Sequence, residues 1–519
     1  MSSGQSWSLN ELLETCFRVP EVVASELSGI RVSNVQIDSR KVSPGDLFIA
    51  LPGLQSSAEK FVMAAVECGA VAVLCAREGV DFNVSTLNGP GGLRVPCVFG
   101  ADVPLAAARL INIVLGAPSK ALDVIGVTGT NGKTSVTQYT AQLLSMLKGT
   151  PQGVMGTLGY GLSGNLEDVG HTTADLKTNH EQLANLRAKG AEYVAMEVSS
   201  HALEQGRIAG VVFDGAVFTN LTRDHLDYHG TMESYGNAKA RLFDIESVRW
   251  AVINLDDPFA QSLLVRDSVR QLSRVITFGI QSDDADLIAV NLKSSAEGIE
   301  GDLSWQGQIV PFQTALLGQF NVSNVLAATA CVLQCGYDLL DIVPLLPRLQ
   351  AVAGRMEPVA IEGVGYPRAI VDYAHTPDAL ENALQASRKH TDQELWCVFG
   401  CGGDRDAGKR SEMGKVASEL ADKVIVTSDN PRSECPQRII DDILHGTVGG
   451  AVIQVEQDRA LAIRKALFAA HTGDVVLVAG KGHEPYQEIK GSKFVFSDRD
   501  EILKSLHERA ANSVNGGPR

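Results

Sequence analysis

The chain of 519 residues contains no uninterrupted apolar run of the ~18 residues that a membrane-spanning helix requires. Its longest candidate, residues 63–76, is interrupted by Glu67 and Gly69. A basic segment followed by an apolar one is missing from the start, so no secretory leader is expected. Cations are in deficit: 45 Lys and Arg face 61 Asp and Glu, a formal charge of −16. Nucleic acid and anionic lipid both need a basic field, so neither is an expected partner, and only a local basic pocket stays open. CxxC pairs of the zinc or thioredoxin type are absent. The nine cysteines are dispersed, with CxxxC spacing at Cys331/Cys335 and Cys397/Cys401. An odd, scattered set fits reduced cysteines in a cytoplasmic protein.

Hydrophobic residues make up 45% and charged residues 20%, with 50 glycines. This is globular composition suited to the turns of an α/β fold, not disorder. At roughly 150 residues per domain the length predicts about three domains. Residues 1–121 read as a small α/β domain: a capped helix at 6–16, strands at 35–38 and 46–51, a helix at 61–68, a strand at 70–75 and a helix at 104–115. Residues 117–121 read as a linker. Residues 122–353 alternate apolar strands (124–127, 193–198, 215–219, 250–254) with helices, which predicts a doubly wound, mostly parallel sheet. The stretch 275–311 alternates in character and predicts an antiparallel addition. Helices at 324–334 and 341–349 close this part. Residues 354–519 repeat the rhythm, with strands at 369–372, 395–400, 423–427 and 474–479 and a disordered tail at 512–519.

The strongest local signal is the run Gly126 to Thr134, which follows a buried strand and opens a helix at 135–147. Gly129, Thr130, Asn131 and Gly132 let backbone amides turn toward phosphate oxygens. Lys133 can neutralise phosphate charge and Thr134 can place its hydroxyl on Mg²⁺. The G-x-x-x-x-G-K-T pattern fails at one position, where Val127 stands for glycine. A glycine-rich structural turn is the competing reading, and the intact Gly-Lys-Thr in its strand–helix context argues against it.

In a doubly wound sheet, ligands gather at the carboxyl ends of strands. Glu197 stands at one such end and can reach a phosphate-bound Mg²⁺; a satisfied buried carboxylate is the alternative. At the next strand end Arg223, Asp224, His225, Asp227 and His229 crowd together. His225 is a candidate for a second Mg²⁺, against a structural histidine. Lys239, by pattern alone, is a solvated helix lysine.

These blocks occur in order with others: TGTNGKT, AMEVSSHALEQGR, NLTRDHLDYHG, YGNAKARLF, LGQFNVSNVLAA, GRMEPV, DYAHTPDAL, GCGGDRDAGKR, SDNPRSE and AGKGHEPYQ. The set resembles the Mur ligase family, and DSRKVSPGDLFIALPG at 38–53 resembles that family's UDP-binding domain. The resemblance implies a UDP-muramoyl substrate-binding domain (1–121), a central ATP-binding P-loop domain (122–353) and a C-terminal Rossmann-like amino-acid-binding domain (354–519). It implies an ATP-dependent, amide-forming enzyme of peptidoglycan precursor synthesis, working through an acyl phosphate as a cytoplasmic monomer. The expected partners are UDP-N-acetylmuramoyl-L-alanyl-D-glutamate, meso-2,6-diaminopimelate and ATP; a lysine-adding enzyme is the alternative.

By the same resemblance Lys133, Glu197, His225 and Lys239 are catalytic. Thr134, Glu197, His225 and a carbamylated Lys239 hold Mg²⁺. ATP falls on residues 129–134 with Asn321, Asn324, Arg355 and Asp372. The UDP-substrate falls on Ser39, Thr172, Thr173, Ser199, Gln205 and Arg207. Diaminopimelate falls on Arg405, Asp429, Asn430, Pro431, Arg432, Gly480 and Glu484. The chain departs from the family's commoner residues around Thr172-Thr173 and lacks the usual Pro after Lys409-Arg410. Arg432 suits a far-end carboxylate because a guanidinium binds it with two prongs. Lysine is then expected to leave that arginine buried and unpaired. A folylpolyglutamate synthetase should lack the DNPR and DSR…GDLF blocks, both present here. A P-loop kinase or motor, or a non-catalytic binding protein, is the reading from another class.

Overall fold

The computed structural model describes residues 6–51, 58–77, 79–167, 170–295, 297–361 and 365–515. The fold is α/β and divides into two compact units. One unit comprises residues 1–130, 150–251 and 263–274, and the other residues 131–149, 252–262 and 275–519.

The first unit opens with strand Trp7–Ser8, paired with Arg31–Val32, so the helix expected at 6–16 is shortened to Leu9–Glu14, which buries Leu9, Leu12 and Leu13; the Glu11 carboxylate accepts the Ser8 N–H at 3.4 Å. A five-stranded sheet follows, in the order Asn34–Gln36, Asp46–Ala50, Ala72–Ala76, Arg94–Gly100, Phe82–Asn88. Its first four strands run parallel and the edge strand antiparallel. Both faces are packed, one by helix Val103–Val114 with the first helix, the other around Phe48, Val66 and Val73. Residues 117–121, expected as a linker, are ordered. They contain the 3-10 turn Pro118–Ala121, whose fully buried Ser119 accepts the Val212 N–H at 3.0 Å. Pro52 and Gly53 of the DSR…GDLF block lie outside the described residues.

The same unit holds parallel strands Gly153–Gly156, Tyr193–Glu197, Asp123–Thr128 and Gly215–Phe218, in that order, with Gly159–Leu162 and Asn165–Glu167 added antiparallel at the edge. Register sets Glu197 beside Val127, and Phe218 beside Thr128. The carboxyl ends therefore finish level, which puts Glu197, Gly129 and Thr219 on one edge.

In the second unit helix Lys133–Lys148 packs on helix Gln319–Gln334. The latter starts five residues before the expected position, so Asn321 and Asn324 share it. Strands Leu287–Ser295, Gly298–Trp305 and Gln308–Thr314 form the expected antiparallel addition. The predicted helix at 341–349 is instead Leu339–Ile342 followed by a 3-10 segment, Val343–Arg348. Pro344 and Pro347 supply no amide hydrogen for an α-helix there. A six-stranded sheet runs Glu357–Val359, Arg368–Asp372, Val475–Ala479, Leu395–Phe399, Lys423–Val426, Val452–Val455. Only its first pair is antiparallel. Its central strands read as continuous apolar runs because helices cover both faces. Helix Asp498–Asn515 takes in the first half of the segment expected to be a disordered tail; residues 516–519 lie outside the described ones. Among the described residues no helix is long and apolar enough to cross a membrane.

Candidate active site

Strand Asp123–Thr128 ends in Gly129, whose φ is +150°. A Cβ there would lie 1.9 Å from Thr219 Oγ1, so only glycine fits. Thr130 N–H donates to Asn220 O at 2.8 Å, and its hydroxyl accepts the Thr222 N–H at 3.0 Å. The turn is thereby tied to the end of the neighbouring strand. Helix Lys133–Lys148 begins after Gly132, which has no side chain to cap the first-turn amides. Those amides and the helix dipole suit phosphate oxygens.

Glu197 is buried, and its carboxylate accepts the Thr157 N–H at 2.8 Å. The Thr157 hydroxyl stands 3.1 Å from Glu197 Oε2 and 3.0 Å from Thr172 Oγ1. Thr173 Oγ1 donates to Glu197 O at 3.0 Å and accepts the Ser199 N–H at 3.1 Å. Arg207 donates to Thr173 O at 3.1 Å and to Gln205 Oε1 at 2.9 Å, while Gln205 donates to the Tyr228 hydroxyl at 3.1 Å. Thr172, Thr173, Ser199, Gln205 and Arg207 thus form one network hung on the strand that carries Glu197. Ser39 stands elsewhere, in the turn Ser39–Lys41.

Lys239 is buried, not solvated as its helical pattern predicts. Its Nζ donates to Gly129 O at 2.7 Å and lies 4.3 Å from the Tyr235 ring centre. The Tyr235 hydroxyl is 3.2 Å from Thr130 Oγ1, and burial pushes it up to about 12. His225 is exposed, with φ +53°, and its Nε2 is 3.4 Å from the Asp224 carboxylate. Its ring centre is 4.9 Å from that of His201. Burial holds His201 and His229 below the usual histidine range; neighbouring His225 and His229 add to it at His201, while the Glu204 carboxylate opposes it at His229.

No group of three or more His, Cys, Asp or Glu that could hold a metal exists among the described residues. In one unit the chain offers the Glu197 carboxylate and the His225 imidazole, and in the other the Thr134 hydroxyl. Mg²⁺ gives up water reluctantly and takes few protein ligands beside substrate phosphates. A carboxylate such as that of Glu197 is the kind of ligand such an ion takes.

On helix Gln319–Gln334, Asn324 donates to Asn321 Oδ1 at 3.1 Å and Asn321 donates to Leu317 O at 2.8 Å. The Tyr139 hydroxyl donates to Asn321 Oδ1 at 3.3 Å. Asp372 accepts the N–H groups of Met356 (2.7 Å) and Ala374 (2.8 Å). Burial raises its carboxyl, opposed by the charge of Arg355. The Arg355 guanidinium lies 4.4 Å from the Tyr373 ring centre.

Gly480 has φ +115°, and a Cβ there would be 2.6 Å from Asp429 Oδ2. The Asp429 carboxylate accepts the Asn430 N–H at 2.6 Å. Asn430 Nδ2 donates to Glu484 Oε2 at 2.8 Å. Arg432 follows Pro431 in the left-handed region, φ +49°, and donates to Gly403 O at 2.7 Å. Its Nε is 3.4 Å from the Glu488 carboxylate, and the side chain is 23% exposed. The expectation that lysine leaves Arg432 buried and unpaired is therefore corrected: a carboxylate and a carbonyl of the chain already meet it. Arg405 is exposed before helix Gly408–Leu420. Sequence reasoning missed Thr157, Tyr235, Lys481 and Glu488. A lysine between two glycines in AGKGHE was the one visible signal.

Family models match three segments: "Mur ligase family, catalytic domain" at residues 31–121, "Mur ligase middle domain" at 127–332, and "Mur ligase, glutamate ligase domain" at 354–482. The UDP-N-acetylmuramoyl-L-alanyl-D-glutamate–2,6-diaminopimelate ligase of Ectopseudomonas mendocina (strain ymp) is 46% identical over 479 residues, 92% of this chain and 96% of that one. The ligase of the same name from Pseudomonas aeruginosa is 46% identical over 475 residues, 92% and 95% of the two chains. A solved structure of a ligase of that name is 36% identical, with a TM-score of 0.71 over 98% of this chain and 100% of that one. With its phosphate turn, strand-end glutamate and buried lysine in place, the chain belongs to the Mur ligase family.

Proposed function

We propose that the chain uses ATP to join meso-2,6-diaminopimelate to the D-glutamate end of UDP-N-acetylmuramoyl-L-alanyl-D-glutamate, releasing ADP and phosphate in peptidoglycan precursor synthesis. The likeness to ligases of that name supplies the substrates. The structural observation that carries the reading is Lys239, buried with its amine on the carbonyl of the phosphate turn.

A carboxylate does not condense with an amine at neutral pH, because oxide is a poor leaving group. Attack of the D-glutamate carboxylate on the γ-phosphorus gives an acyl phosphate and ADP. The amine then attacks the acyl carbon, and phosphate leaves with its electron pair. Lys133 and the first-turn amides after Gly132 stabilise the charge of the transferring group. Thr134, Glu197, His225 and carbamylated Lys239 would hold Mg²⁺, which neutralises polyphosphate charge when bound. In the carbamate, the neutral Lys239 amine bonds to the carbon of CO₂ and loses a proton, so an anion replaces a cation beside the phosphates.

Gly129 to Thr134, Asn321, Asn324, Arg355 and Asp372 hold the nucleotide. Ser39, Thr172, Thr173, Ser199, Gln205 and Arg207 hold the UDP-substrate. Arg405, Asp429, Asn430, Pro431, Arg432, Gly480 and Glu484 hold diaminopimelate. Residues 1–121, 122–353 and 354–519 are the three functional domains, and the enzyme works in the cytoplasm as a monomer. Phosphate release is the test. It should require both the UDP-muramoyl dipeptide and an amine, with meso-diaminopimelate far ahead of L-lysine and L-ornithine. Release without an amine would sink the ligase reading.

A further inference from the structure

The segments assigned to the incoming amino acid contain a further cation, and this one is buried. Lys481 is fully buried, and its ammonium donates to Glu484 Oε2 at 2.9 Å and to Asn430 Oδ1 at 3.1 Å. Asn430 Nδ2 donates to that same Glu484 oxygen at 2.8 Å, and the Glu488 N–H donates to Asn430 Oδ1 at 2.9 Å. The amide can face only one way: its oxygen meets two donors and its nitrogen meets the carboxylate. Lys481, Asn430 and Glu484 therefore close a triangle of charge-assisted hydrogen bonds. Glu488 links it to Arg432, whose Nε is 3.4 Å from the Glu488 carboxylate.

Resting on the amino-acid pocket assigned above, we propose that Lys481 is a specificity-determining residue, an internal cation that holds Glu484 and Asn430 in place and disfavours amino acids whose far end carries only an ammonium. The far end of lysine adds one positive charge to the pocket. The far end of diaminopimelate adds an ammonium and a carboxylate, with no net charge. A fixed ammonium raises the local potential, which penalises the first and leaves the second almost untouched. The sign of this difference holds whatever the remaining charges are. Asp429 lies beside Asn430, and Arg459, paired with Asp498, donates to Ala479 O just ahead of Gly480; these charges set the starting preference and stay the same when the Lys481 charge is removed, so they leave the direction of its effect unchanged. Lys481 also occupies one oxygen of Glu484, so an arriving ammonium shares that carboxylate. For diaminopimelate the attraction of Arg432 for the far carboxylate offsets this sharing.

The test compares kcat/KM for meso-diaminopimelate and L-lysine in the full-length enzyme and in Lys481→Met, Lys481→Arg and Asn430→Asp. Lys481→Met should reduce the preference for diaminopimelate at least about tenfold, while Lys481→Arg keeps it within about threefold. Asn430→Asp places an added anion beside the ammonium without emptying buried space. It should shift the preference in the same direction, and it decides the matter if Lys481→Met does not fold. A purely structural role would lower both amino acids alike. A wild-type preference in either folded variant overturns the inference. A wild-type enzyme that uses neither amino acid would instead defeat the reading of the pocket.

Discussion

The side-chain amine of Lys239 donates a hydrogen bond to the carbonyl oxygen of Gly129 at 2.7 Å, across 110 positions of sequence. One helix thereby holds an amine directly on the glycine turn that follows strand Asp123–Thr128. Lys239→Ala should lower kcat at least ~100-fold, as removal of a pre-placed electrostatic group does. UDP-substrate affinity should barely change, and small carboxylic acids such as formate should restore part of the rate. Removing CO₂ and bicarbonate should also depress the wild type. Intact active enzyme whose mass and electron density show unmodified lysine would contradict the carbamate.

Glu197 and Thr157 make the second prediction. Thr157 presents both its N–H and its hydroxyl to the Glu197 carboxylate. Glu197→Gln should reduce kcat at least ~100-fold, with the UDP-substrate KM within about threefold, because the carboxylate acts on the transferring group. Thr157→Val should cost roughly 10-fold, the usual effect of removing a partner that orients a ligand. Unchanged turnover in folded Glu197→Gln removes Glu197 from the chemistry.

Arg432 is paired with Gly403 and Glu488 of its own chain. On the proposed reading its contribution is attraction for a far carboxylate, not relief of an unpaired charge. Arg432→Ala should raise the diaminopimelate KM at least about tenfold, equivalent to ~1.4 kcal/mol, with the KM for ATP and UDP-substrate steady. Arg432→Lys should recover only part, since an ammonium lacks the two-pronged geometry. Steady-state kinetics with each substrate varied in turn decides this.

His390 gives a pH dependence of stability. Its Nε2 accepts the Gly318 N–H at 3.0 Å, so Nδ1 carries the proton and donates to Ser295 O. Burial holds its pKa below the ordinary 6.5, with the charges of Arg368 and Lys389 acting the same way. The unfolded chain then binds a proton near pH 6.5 that the folded chain refuses, so this stabilisation is complete above 6.5 and is lost as pH falls below it. His390→Gln should be less stable than wild type at pH 7.5, and the gap should narrow toward pH 5.5. Denaturant melts across that range check it; a constant gap would contradict the neutral tautomer.

The parallel strands were legible because burial on both faces demands unbroken apolar runs, as in 475–479 and 395–399. The glycine turn after strand Asp123–Thr128 was legible because Gly129 and Gly132 take positive φ, and Gly129 leaves no room for a Cβ. Lys239 was not legible from pattern: helix Met232–Ala240 has no pronounced apolar face, and the acceptor that buries the lysine is remote in sequence. Thr157 escaped notice because strand Gly153–Gly156 is four residues long and half glycine, too short to show a period. Lys481 stood in a quoted motif, yet only the fold shows that its side chain turns inward onto Glu484.

Isotope transfer tests the central claim, that ATP activates the D-glutamate carboxylate as an acyl phosphate. UDP-muramoyl dipeptide labelled with ¹⁸O in that carboxylate is turned over with ATP and meso-diaminopimelate, and the released phosphate is weighed by mass spectrometry. One labelled oxygen should appear in each phosphate, because the oxygen that attacks phosphorus leaves with it. Unlabelled phosphate would show that water, not the carboxylate, receives the phosphoryl group, and would contradict the account.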